Sequence, residues 1–141
     1  AIALTPRDPD LHFNLAQVYE KEKNVPLAIE GYREETEIAP GNSGAHLNLG
    51  LLYFGGGRID EASVCFQKLL QLRPEEPRAS FLLAETYNLL NKNLEEALQL
   101  TRQGLARLPD SKRGYALMAE IYKKLGRDKE ADEASAMAKR R

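Results

Sequence analysis

Apolar and polar positions alternate along this chain with the period of a helix, and the spacing is clearest between residues 46 and 74. His46, Leu49, Gly50 and Tyr53 fall at i, i+3, i+4 and i+7, which places them on one face of a helix. Gly55-Gly56-Gly57 is too flexible to continue it. Asp60 and Glu61, acids suited to a helix N-terminus, then open a second run that puts Ala62, Phe66 and Leu69 or Leu70 on one side. That run stops before Pro74, which cannot continue a helix and disfavours the helical conformation at Arg73.

The same spacing recurs on either side. Leu49, Tyr53, Ala62 and Pro74 have upstream copies at an offset of 34 in Leu15, Tyr19, Ala28 and Pro40. Downstream, Leu83 and Tyr87 keep the offset of 34, whereas Ala97 and Pro109 lie 35 beyond Ala62 and Pro74, so one residue is added between Tyr87 and Ala97. A fourth copy follows with Met118, Tyr122 and Ala131. A period of this size means stacked units, none able to bury its apolar face without a neighbour. The spacing predicts eight helices, over 9–22, 25–39, 43–55, 59–72, 77–90, 94–107, 112–125 and 128–139. Ala16, Gly50, Ala84 and Ala119 share one position of the first helix of each pair, and Ala28, Ala62, Ala97 and Ala131 share one of the second. Side chains no larger than methyl at both places let the backbones approach, while Tyr19, Tyr53, Tyr87 and Tyr122 fill the wider gaps.

These residues resemble the tetratricopeptide repeat, whose pattern is an aromatic-Leu-Gly-Tyr run followed by Ala, an aromatic, Ala and Pro. The first copy matches through Leu15, Ala16, Tyr19, Ala28, Tyr32 and Pro40, and the second through Leu49, Gly50, Tyr53, Ala62, Phe66 and Pro74. The third is looser, with Leu83, Ala84, Tyr87, Ala97, Gly104 and Pro109 but Thr101 in an aromatic place. The fourth has Ala119, Tyr122, Gly126, Ala131 and Ala138, with Ser135 in that place. The family's Trp is replaced throughout, by His12, His46, Ser80 and Tyr115. The resemblance implies an all-α fold, an α-solenoid of about four stacked antiparallel helix pairs in a right-handed superhelix. The repeats are expected at 9–42, 43–76, 77–111 and 112–141 in one solenoid domain. Residues 1–8 read as the remnant of an upstream repeat, since Pro6 lies 34 before Pro40.

Composition narrows the function classes. Twenty basic against twenty-one acidic residues leave a net charge of −1, so no global field draws the chain to nucleic acid or an anionic membrane. Residues 1–8 hold no apolar run long enough for a secretory signal, and a soluble cytoplasmic protein is expected. The lone Cys65 excludes an internal disulfide and reads as a small buried hydrophobe. His12 and His46 stand in equivalent places, where packing aromatics are expected, so no metal or cofactor is predicted. Glu34-Glu35, Glu75-Glu76 and Glu95-Glu96 read as solvated surface or helix starts. Gly55-Gly56-Gly57 has no preceding strand and no following Gly-Lys-Ser/Thr, so it reads as a turn between helices. Without a nucleophile-and-base set in recognisable context, the chain is not expected to be an enzyme.

Function is therefore expected from a surface. Beside the core face of the second copy, Leu47, Leu51 and Phe54 form a second, displaced stripe that is expected to be partly exposed. In the family that the chain resembles, the equivalent positions line a concave groove that binds peptides or partner helices. Carried onto this chain the groove comprises Phe13, Gln17, Leu47, Leu51, Phe54, Arg78, Phe81, Glu85, Arg113 and Glu120, together with Asp10, Asn88 and Lys123. The implied partner is a protein or peptide with apolar anchors. The clamp by which some relatives hold acidic chaperone tails is matched only by Asn48 and Arg78, because Phe13, Gln17 and Leu82 replace its other polar and cationic residues. A scaffold element that self-associates weakly through its N-terminal end, or a docking appendage of a larger protein, is the alternative.

Overall fold

A computed structural model describes residues 10–140, and the expected remnant at residues 1–8 lies outside them. Among the described residues there are eight helices and no strand. They are α1 (Leu11–Lys21), α2 (Val25–Ile38), α3 (Ser43–Gly55), α4 (Ile59–Leu72), α5 (Pro77–Leu90), α6 (Leu94–Arg107), α7 (Lys112–Lys124) and α8 (Asp128–Ala138). Seven of the predicted helices match within a residue at each end, and the first is shorter because Asp10 takes a left-handed conformation (φ 76°) just ahead of it.

Local chemistry explains the boundaries. Asn24, Asn42 and Ser111 accept hydrogen bonds from the backbone N–H groups of Leu27, Ala45 and Gly114, relieving donors that a helix start leaves unpaired. Pro26 sits in the first turn of α2, where its missing N–H costs nothing. Each turn inside a helix pair needs a residue at positive φ, met by Lys23, Gly57, Asn91 and Gly126. In the third turn Asn93 is left-handed as well, and the inserted residue is absorbed there without shifting the packed faces.

The helices form two compact units, one ending at Leu72 and the other beginning at Arg73. In the first, α1 packs on α2, α2 on α3 and α3 on α4. Ala16 and Ala28 are fully buried, and a Cβ on Gly31 would lie 2.9 Å from that of Ala16, so those backbones touch. Gly50 meets the fully buried Phe66 of α4 in the same way. In the second unit, α5 packs on α6, α6 on α7 and α7 on α8, with α5 also touching α7. Ala84, Ala97, Leu98 and Ile121 form its centre. Each large apolar side chain so buried contributes about 1.5 to 3 kcal/mol, and the small positions are what allow it.

Candidate functional site

The groove residues of the first unit lie on α1 and α3. Gln17 is exposed, whereas Phe13, Leu47, Leu51 and Phe54 are half-buried. Phe13 meets Tyr32 edge-on at 5.6 Å and lies under Gly44, which ties α1 to the start of α3. Phe54 packs 6.4 Å from Phe66. Leu47 and Leu51, one turn apart, are left as half-open apolar side chains on the face opposite the buried set of α3. Between them Asn48 donates to the Tyr32 hydroxyl, which donates in turn to Glu20 at 2.6 Å. Burial, with the Glu20 carboxylate beside it, raises the Tyr32 pKa far above the usual phenol value.

In the second unit the same face is polar. Arg113 of α7 donates to both oxygens of Glu85 on α5, at 2.9 and 3.0 Å. Asn88 donates from its amide to Glu120 at 3.0 Å, and its backbone carbonyl accepts from Lys124 at 2.5 Å. Contrary to the expectation of an exposed groove residue, Asn88 is only 4% exposed, because α7 lies over it. Arg78 is exposed. Phe81 is half-buried and already occupied, since its ring fills the space left by two glycines, Gly104 of α6 and Gly114 of α7.

The buried polar groups have local uses. His12 Nδ1 lies 2.8 Å from Glu34, and His46 Nε2 lies 2.9 Å from the Pro40 carbonyl. Burial lowers the His46 pKa, with Lys68 acting in the same direction, so the neutral ring donates from Nε2 to that carbonyl. Cys65 is buried, and burial pushes its thiol pKa up to about 11, which makes it a poor nucleophile at neutral pH. Glu35 corrects the reading of Glu34-Glu35 as a solvated pair. It is fully buried, accepting the Asp10 backbone N–H on both oxygens at 3.1 Å and the Asn42 amide at 3.1 Å. Its signal lay in the register, where Leu69 and Gly104, both buried, hold the equivalent place.

A family model described as tetratricopeptide repeat matches residues 1–43 and 47–112. The chain belongs to the tetratricopeptide repeat family. Human protein O-mannosyl-transferase TMTC3 is 28% identical over 148 residues, an alignment covering 95% of this chain and 16% of that protein. The TPR repeat-containing protein PA4667 of Pseudomonas aeruginosa is 32% identical over 104 residues, covering 70% of the chain and 17% of that protein. The chain thus spans about one sixth of the length of these curated relatives. A crystal structure of MamA superposes with a TM-score of 0.85 at 18% identity, covering 97% of this chain and 80% of that one, a likeness of fold. Among the described residues no helix is long and apolar enough to cross a membrane.

Proposed function

We propose that the chain is a non-catalytic protein-interaction module, with repeats at 9–42, 43–76, 77–111 and 112–141, that takes a segment of a partner on the first-helix faces of its pairs. Membership of the tetratricopeptide repeat family supports an interaction or scaffold role. The observation that carries the finer reading is α3, whose buried face of Ala45, His46, Leu49, Gly50 and Tyr53 is matched on the other side by half-open Leu47 and Leu51. A helix apolar on both sides is ordinarily enclosed on both sides, so the second side suits an apolar anchor of a partner. In the second unit, Arg78 and the ion pair of Arg113 with Glu85 make the equivalent face polar, suited to polar groups of a partner. Phe81 serves this surface from beneath, because its ring is engaged by the two glycines.

The test is selection of binding peptides from a displayed library, followed by titration against Leu47→Asp with Leu51→Asp. The double variant is expected to keep its helicity and to lose about 2 kcal/mol or more of binding, with raised salt weakening the parent only modestly. A folded double variant that binds as the parent does would remove this face from consideration.

A further inference from the structure

On the opposite side of α3 from Leu47, the first unit holds a cleft of about 430 Å³ between α2 and α4. Helical spacing builds it. Arg33, Thr36 and Glu37 stand one turn apart on α2, and Glu61, Val64, Cys65 and Lys68 share one stripe of α4. The floor is His46, Leu49 and Tyr53 of α3, all buried. A concave, mainly apolar space of this volume with a few converging polar groups is the ordinary form of a small-molecule site.

The equivalent place in the second unit is lined differently. Tyr115 and Leu105 stand where His46 and Thr36 stand, Met137 replaces Lys68, and Arg102, the counterpart of Arg33, donates to the Tyr122 hydroxyl at 2.7 Å. In the first unit His46 and Thr36 are smaller than their counterparts, and Lys68 brings a charge where the second unit has Met137. Among the described residues, moreover, neither Arg33 nor Lys68 forms an ion pair, whereas the acid Glu61 is held by Arg58. Glu37, one turn from Arg33 and exposed, offsets that field only in part. Both cations bear on the floor: Arg33 acts electrostatically on the Tyr53 phenol and Lys68 on the His46 ring.

We propose that this cleft is a binding site for a small apolar carboxylate, its hydrocarbon body over Leu49, Tyr53 and Val64 and its anionic head between Arg33 and Lys68. The apolar floor takes up the body, and the head gains charge-assisted hydrogen bonds from two cations that form no ion pair among the described residues. The walls are helices whose backbone groups are engaged internally, so the cleft offers no main-chain edge to an extended peptide. A free small molecule fits it better.

Decanoate is the probe. Isotope-edited NMR of the whole chain should show saturable shifts at the His46 ring and the Val64 methyls, while decan-1-ol at the same concentration produces much weaker ones. Arg33→Gln with Lys68→Gln, both on the surface and expected to melt with the parent, should weaken decanoate by about tenfold or more. Leu47→Asp with Leu51→Asp should leave it unchanged, which separates this site from the partner-binding face. The proposal is overturned if decanol binds as well as decanoate, if the folded Arg33/Lys68 variant keeps parental affinity, or if no shift appears at His46 and Val64. It is also overturned if a tripeptide ending in Leu with a free carboxylate binds in place of decanoate.

Discussion

At the scale of single residues, Glu35 shows how much one buried carboxylate organises. Its two oxygens receive the Asp10 backbone N–H and the Asn42 amide, so it ties the entry to α1 to the loop before α3. Removing it takes the acceptor from two part-buried donors and empties a fully buried place. Glu35→Ala is therefore expected to cost about 1 to 3 kcal/mol in urea unfolding, and Glu35→Gln less, since its carbonyl can still accept. Equal stability of the Ala variant would mean that water replaces the carboxylate at no loss. Read along the chain, Glu34-Glu35 looks like two surface acids, because Glu35's partners lie 25 and 7 residues away. Only comparison across copies, with Leu69 and Gly104 in its place, signals that it points inward.

Among the elements, α5, α6 and α7 meet through the Phe81 ring. A Cβ on Gly104 would lie 2.5 Å from that ring, and one on Gly114 would lie 3.0 Å from it. Glycine inside a helix ordinarily destabilises it, so Gly→Ala at an open helical site is worth about 0.5 to 1 kcal/mol of added stability. At Gly104 the sign should reverse. Gly104→Ala is expected to lower stability by about 1 to 3 kcal/mol through overpacking, and Phe81→Leu in the same chain should restore part of it. Thermal melts of the two single variants and the double variant decide this, and a stabilising Gly104→Ala would refute the wedge. The helices themselves were legible in the sequence because periodicity and turn residues act locally. That Phe81 is already engaged was not, since an aromatic on the second stripe reads as exposed until the glycines of two other helices are placed beside it.

For the whole molecule, the repeat makes one asymmetry measurable. Val18 of α1 is 48% exposed, whereas Thr86 and Ile121 at the equivalent positions of α5 and α7 are fully buried. Inside the second unit, α7 presents this place to α6. A bare copy of a stacking face is a surface for another helix pair, and a second molecule supplies one. Sedimentation at increasing concentration is expected to show weak self-association that Val18→Lys abolishes without altering helicity. A strict monomer at high concentration would refute the scaffold reading and leave the groove reading untouched. The fold class followed from the fourfold period, while the cleft between α2 and α4 was hidden, because it depends on which side chains are missing from it.

Glu35 also bears on whether the repeats are exchangeable. The register that aligns Asn42 with Glu76 and Ser111 means that the residue leading into the second pair differs from those leading into the third and fourth. If the third pair, with its own leader, were spliced directly behind the first, Glu76 would face Glu35, and the Asn42 donor would be exchanged for a second carboxylate, leaving only the Asp10 N–H to serve the pair. Splicing in the fourth would offer Ser111, a shorter side chain with a single hydroxyl. That junction thus prefers an amide leader, and a shuffled gene that placed the third pair there would encode a weakened contact between the first pair and its neighbour.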